Sequence, residues 1–198
     1  TTNIGFGKTR SNNHETGSSF YNRFRSIYLL RPDLKVFNDD GLYDLSYNFA
    51  VHPLGILTDE KRELETNDFR GAINANYELI SGLTVETSLS GNYQLTENYN
   101  NFPGYIGKGF NNGGINIANQ NNTNIFTWNT RALLRYINEF GEDHNFSAFV
   151  GVENNGVDLK ATNVRVNELR AGAETLEIGT PIDGDPQRRE TTISSLFV

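Results

Sequence analysis

The sequence contains no cysteine, so disulfide frameworks, thiolate metal sites and cysteine nucleophiles are excluded. Methionine is absent as well, including at position 1, so a chain starting at Thr1 is expected to be processed or to continue a longer sequence. A signal peptide directly before Thr1 is not expected. No apolar run reaches the 18 or so residues that a transmembrane helix needs, and the mean hydropathy is -0.52. That value does not argue against a membrane β-barrel, whose strands place apolar residues only at alternate positions. Positive charge is also scarce: 17 Lys+Arg stand against 24 Asp+Glu, for a formal charge of -7. Without a basic stripe interleaved with aromatics, nucleic acid is not an expected partner.

The sequence does hold abundant Asn and Gly, few Pro and 12% aromatics, which suits aromatic-bearing strands joined by turns and long loops. The clearest pattern runs from Asn67 to Leu95. Phe69, Gly71, Ile73, Ala75, Tyr77 and Leu79 share one parity, while Arg70, Ala72, Asn74, Asn76 and Glu78 share the other. After Ile80-Ser81-Gly82 the alternation resumes, with Leu83, Val85, Thr87, Leu89, Gly91, Tyr93 and Leu95 opposed to Thr84, Glu86, Ser88, Ser90, Asn92 and Gln94. A period of two on both sides of a Gly-containing turn predicts a β-hairpin. Each arm keeps its alternation for 13 residues (67–79 and 83–95). Soluble strands peak at about 5–6 residues, whereas a tilted membrane strand needs about 9–11.

A second hairpin is expected from Phe126, Trp128, Thr130, Ala132, Leu134 and Tyr136, with Leu133 a departure from the pattern. A compact charged turn over 138–144 leads to Phe146, Ala148, Val150 and Val152, and the strand continues past a bend at Asn154-Asn155-Gly156 through Val157, Leu159 and Ala161. With partial strands at either end, six are predicted: 1–10, 67–79, 83–95, 124–138, 145–166 and 190–198. Connections of two lengths alternate, short at 80–82 and 139–144, long at 11–66, 96–123 and 167–189. Barrels of the outer membrane have short periplasmic turns and long extracellular loops, and a sandwich has no reason to sort its loops this way. Six strands do not close a barrel, since single-chain bacterial examples start at about 8. The fold class expected is therefore all-β: antiparallel transmembrane strands with long extracellular loops, forming part of a larger barrel.

The order of several short pieces resembles SusC/RagA-type TonB-dependent receptors. Phe20-Tyr21-Asn22 through Leu30-Arg31-Pro32-Asp33-Leu34-Lys35-Val36-Phe37-Asn38-Asp39-Asp40-Gly41-Leu42-Tyr43 is similar to a loop of that family, and His52-Pro53-Leu54-Gly55-Ile56-Leu57 to its Asn-Pro-Leu-Ala segment. Arg70-Gly71, Tyr77-Glu78-Leu79-Ile80, Gly82-Leu83-Thr84-Val85 and Gly91-Asn92-Tyr93 resemble the following strand pair, and Gly141-Glu142-Asp143-His144-Asn145-Phe146 and Gly151-Val152-Glu153 the next turn and strand. Arg23 and His52 depart from the family's usual Pro and Asn. The resemblance implies a 22-stranded barrel in a Gram-negative outer membrane, with an N-terminal plug and a TonB box that both lie outside residues 1–198. It implies TonB and a SusD-like surface lipoprotein as partners, and an oligosaccharide or peptide as the imported nutrient. Outer-membrane lipid would surround the wall.

Candidate sites follow from parity and from the loops. Arg70, Asn74, Glu86, Arg131 and Arg135 lie on polar parities and are expected to line the lumen. Tyr99, Phe102, Tyr105 and Phe110 sit among Asn and Gly in the loop 96–123, where they are expected to contact nutrient or lid, or to pack against the loop itself. Trp128 on its apolar parity suits an aromatic belt better than a sugar platform, with Tyr77, Tyr136 and Phe146 as the opposite belt. Chemical sites are not expected. Gly7-Lys8-Thr9 lacks the earlier Gly, the preceding strand and the following helix of a phosphate loop. Asn38-Asp39-Asp40-Gly41 reads as a turn and not as an EF-hand, and His14, His52 and His144 have no metal-ligand spacing. No Gly-x-Ser-x-Gly occurs and no carboxylate pair stands out, so no catalytic residue, cofactor or metal is expected. Two rivals remain: a water-soluble or surface β-sandwich that binds glycans or acts as an adhesin, and an outer-membrane enzyme barrel.

Overall fold

The computed structural model describes residues 1–12, 35–45, 52–111, 113–140, 144–168 and 180–198, together with 27, 28, 32 and 33. Six antiparallel strands form one open sheet in chain order: β1 Thr2–Asn12, β2 Lys61–Ile80, β3 Leu83–Phe102, β4 Ile117–Phe140, β5 His144–Asn167 and β6 Thr180–Phe197. Two short helices, α1 Pro53–Thr58 and α2 Gly107–Asn111, lie in the connections before β2 and between β3 and β4.

All six expected strands are present, and most are longer than their alternation suggested. β2 and β3 have 20 residues each, β4 and β5 have 24. The loop expected over 96–123 is thus confined to 103–116, and the connection expected over 167–189 ends where β6 begins at Thr180. The β2–β3 turn is the tight one predicted, with Gly82 at φ 82, in the left-handed region that glycine tolerates best. Residues 141–143 of the charged turn, 20–26, 29–31 and 34 of the family-like loop, and 169–179 lie outside the described residues.

The register assigns each side chain to a face, because paired residues of an antiparallel ladder point the same way. One row runs Phe6, Phe69, Tyr93, Phe126, Asp158, Glu190. The neighbouring row on the opposite face runs Gly5, Arg70, Asn92, Thr127, Val157, Thr191. Pairing continues without a shift through Asn154, Asn155 and Gly156, so the bend expected there is absent; the irregularity falls at Arg165/Val166. As a result Val157, Leu159 and Ala161 join the polar face. Leu133, the apparent departure, packs on that same face with Phe149 and Phe197 over Gly151, whose missing side chain makes room for both Phe197 and Leu133.

The apolar face has no second layer against it among the described residues. Ile4, Phe6, Tyr77 and Leu196 are each more than two-thirds exposed. A soluble monomer rarely leaves so continuous an apolar band open to water, and a β-sandwich buries such a face against a partner sheet. Among the described residues the strands thus form one sheet and not the two packed sheets of the sandwich reading. The upper edge of the band is level at Phe6, Phe69 and Phe126 on β1, β2 and β4, and lies lower, at Val152 and Leu196, on β5 and β6. Val152 pairs with Ala132, six residues along β4 from Phe126.

Candidate functional site: the inner wall and its cap

The polar face carries a shallow hollow of about 660 Å³ bordered by Asn3, Arg70, Ser90, Asn92, Asn129 and Asn155. Arg70, Asn74, Glu86, Arg131 and Arg135 all fall on this face by register, on β2, β3 and β4. Arg135 reaches Glu86 at 3.4 Å and Arg70 reaches Asp68 at 3.6 Å. Both pairs keep solvent-exposed guanidinium groups, so their net stabilisation is small, about 0–1 kcal/mol. Between them Asn129 donates to Glu153 at 2.9 Å and to Asn155, and Asn155 donates to the same Glu153 oxygen at 3.0 Å. Parity alone put Arg70, Asn74, Glu86, Arg131 and Arg135 on one face of the sheet. The amide network escaped notice because Asn155 comes from the segment where a bend was expected.

At one end of the strands the connections form a cap. The turn Asn38–Leu42 is closed by Asn38 Oδ1, which accepts from the amides of Asp40 (3.1 Å) and Leu42 (2.9 Å), with Gly41 at φ 78. This is the Asp-Gly turn expected from the sequence. Phe37, Tyr43 and His52 stack in series, with centroids 5.2 and 5.1 Å apart. Pro53 opens α1, where its fixed φ and missing N–H cost nothing. Gly55 lets Ile106 and Tyr43 approach so closely that a Cβ there would collide with both. Ile56 and Ile106 are completely enclosed. Tyr105 donates to Asp59 at 2.9 Å, tying the 103–116 connection to α1. Its burial, reinforced by that carboxylate, pushes its pKa up to about 12.

Two of the four aromatics expected in a ligand-contacting loop do not belong to it. Tyr99 lies in β3 and pairs with Glu63, on the apolar side's parity, with Lys61 5.7 Å from its ring. Phe102 closes β3 and is 5% exposed, flanked by Arg62 at 4.9 Å and Lys108 at 5.2 Å. It is a core residue of the cap. Tyr105 and Phe110 remain about half exposed and available to a partner. Arg62 donates two hydrogen bonds to buried Glu60 at 2.8 and 3.2 Å, a pair that no sequence pattern announced. His52 is buried beside Tyr43, and that burial lowers its pKa although Asp44 opposes the shift. Trp128 lies in the middle of β4 and not near its outer end. Its indole covers Gly156 at the upper part of the apolar band. Tyr136 and Phe146 pair at 6.1 Å near the lower turn, as a second belt would require. Among the described residues no group of three His, Asp or Glu could hold a metal ion.

An apolar face and a polar face on opposite sides of one antiparallel sheet, strands of membrane-crossing length and a cap at one end are the features of a transmembrane β-barrel wall. No family model matches the chain. It is 28% identical over 185 residues, 87% of its length, to "TonB-dependent receptor P3" of Formosa agariphila, and it spans 18% of that receptor. In fold it is similar to the RagAB peptide transporter, with a TM-score of 0.62 and 13% identity, covering 79% of this chain and 18% of that one. It is also similar to the RagAB peptide importer in its closed-closed state, with a TM-score of 0.58 and 13% identity, covering 69% and 15%. The resemblance to SusC/RagA-type TonB-dependent receptors is thus carried by sequence and by fold together. The chain spans under a fifth of each of these relatives, which are named as a receptor and as transporters and not as enzymes.

Proposed function

We propose that residues 1–198 form part of the wall and extracellular cap of the C-terminal barrel of a TonB-dependent receptor. The receptor imports a nutrient across the outer membrane of a Gram-negative bacterium. The observation that carries this reading is the sorting of side chains by face: exposed apolar residues on one side of a continuous ladder, and Arg, Asn and Glu on the other. In the complete receptor, closing the remaining strands around the polar face encloses the hollow beside Arg70 and Asn129. A plug, a TonB box and TonB itself act from outside this segment. A SusD-like lipoprotein meets the cap, where Leu42, Leu54, Leu57, Tyr105 and Phe110 are each 40% exposed or more. The uncharged amides of the inner wall suit an oligosaccharide or a peptide backbone, since both present neutral donors and acceptors. This segment binds and guides its cargo without chemical change.

Two measurements test this. A strain lacking the full-length receptor is grown on a panel of oligosaccharides and peptides, and loss of growth on one class, restored by the gene, is the expected result. Unchanged growth on every member, with no lipoprotein co-purifying with the receptor, would refute the import reading. The orientation of the wall is tested through Trp128 in a background holding no other tryptophan. Brominated lipid should quench its fluorescence strongly and aqueous iodide should not; the reverse would turn the wall inside out.

A further inference from the structure

The outward face of β1–β4 carries two hollows, one above the other, on either side of the line where its apolar side chains give way to charged ones. The lower, of about 370 Å³, has Gly71 and Gly91 as its floor and Phe69, Tyr93, Phe126 and Trp128 as walls. It exists because two adjacent strands present glycine in the same register row. A Cβ at Gly71 would meet nothing within 4 Å, and one at Gly91 would only touch the Phe126 ring at 3.4 Å. Sterics therefore do not demand glycine at either position. The upper hollow, of about 260 Å³, is bordered by Arg10, Lys61, Glu63, Glu65, Glu97 and Tyr99. Glu65 lies four residues above Phe69 on β2, a separation of about 14 Å along the strand.

The two hollows ask for different chemistry. The lower offers hydrocarbon contact. The upper places Glu65 directly opposite Glu97, an arrangement that is unfavourable between bare strands. Lys8 approaches Glu65 at 2.7 Å, Arg10 approaches Glu63 at 3.1 Å, and Lys61 approaches Glu63 at 3.7 Å. Carboxylate acceptors, cationic donors and the Tyr99 ring at one place match the hydroxyl groups and flat faces of sugars. On the reading that this face meets the outer membrane, we infer that the paired hollows hold one outer-leaflet glycolipid. Its acyl chain lies over Gly71 and Gly91, and its sugar head lies among Arg10, Lys61, Glu97 and Tyr99. Hydrocarbon gains little by exchanging other lipid tails for an apolar groove. Selectivity therefore comes from the upper hollow, which stands too far above the apolar band for the small head of a phospholipid.

The complete receptor, purified from outer membranes in mild detergent, is titrated with lipopolysaccharide or with phosphatidylethanolamine and read by native mass spectrometry. One tightly retained lipopolysaccharide per barrel is expected, with at least tenfold weaker retention of the phospholipid. Filling the groove with Gly71→Leu and Gly91→Leu should lower retention tenfold or more. Arg10→Gln with Lys61→Gln, which leaves the groove untouched, should lower it as well, so that a folding defect in the first variant does not decide the outcome. Equal retention of the two lipids overturns the inference, and so does unchanged retention in the Arg10/Lys61 variant. Failure of the wild-type receptor to fractionate with outer membranes would instead refute the wall reading on which the inference rests.

Discussion

The cap and the wall use hydrophobic side chains in opposite ways. Six of the seven buried apolar residues among the described residues, Ile56, Phe102, Ile106, Ile117, Ala118 and Val166, lie in or beside the cap. In the wall, Ile4, Phe69, Ile73, Leu89 and Phe146 are at least half exposed. A soluble domain would reverse the second pattern. The cap is held by the ordinary hydrophobic effect, since water surrounds it and burial removes apolar surface from that water. The wall is held by its hydrogen-bonded ladder, and its apolar side chains set which solvent it sits in.

The contrast is broken most directly by truncating one residue in each region. Ile106→Ala should destabilise the cap by about 2–5 kcal/mol, because the cavity against Gly55 and Tyr43 has little room to collapse. Hydrogen exchange should show residues 52–60 and 103–116 opening while β2–β5 stay protected; loss of protection along the strands would mean that cap and wall are one cooperative unit. Leu89→Ala should cost far less than that, because its side chain already faces outward.

A charge test follows, with an effect of similar or slightly smaller size. Leu89→Arg places a cation in the apolar band and should cost about 2–4 kcal/mol in a barrel refolded into lipid. Ser90→Arg, one residue along on the polar face, should be nearly neutral. Equal costs for the two would show that the faces do not meet different solvents.

The smallest expected effect is one of pH, and it is confined to the cap. His52 has its pKa lowered by burial, so on acidification the unfolded chain takes up a proton before the folded cap does. Stability is therefore highest above the ordinary histidine value of about 6.5 and falls as the pH drops toward the lowered pKa of the folded state. Protection factors of residues 52–60, corrected for the pH dependence of intrinsic exchange, should fall between pH 7 and pH 5 in the wild type. His52→Gln should flatten the response, and a slope that survives the substitution would assign it to another group.

How much of this was legible in the sequence differs between the same two regions. In the membrane-crossing part, alternation of period two gave the strands, their pairing at Ser81-Gly82 and the polar side of Arg70, Asn74, Glu86, Arg131 and Arg135. The upper parts of β3 and β4 escaped: Thr96 to Asn101 and Asn119 to Thr123 are polar on both parities apart from Tyr99 and rich in Asn, a poor strand former. They are extended because the neighbouring strands continue the ladder beside them. The same absence of contrast put Tyr99 and Phe102 in a loop, and made Val157 and Leu159 look like the far side of a bend.

The sequence by itself determined the faces, because whether a residue in an extended chain points up or down depends only on its place in the count, and a lipid-facing side selects apolar residues at every second place. Only the tertiary structure decided how far the strands continue past the alternating pattern, and that residues 52–60 and the connection between β3 and β4 close on each other through Ile56, Ile106 and the Tyr105–Asp59 bond. Those features depend on contacts between residues some 50 positions apart, such as Gly55 with Ile106, and no local period records such a meeting.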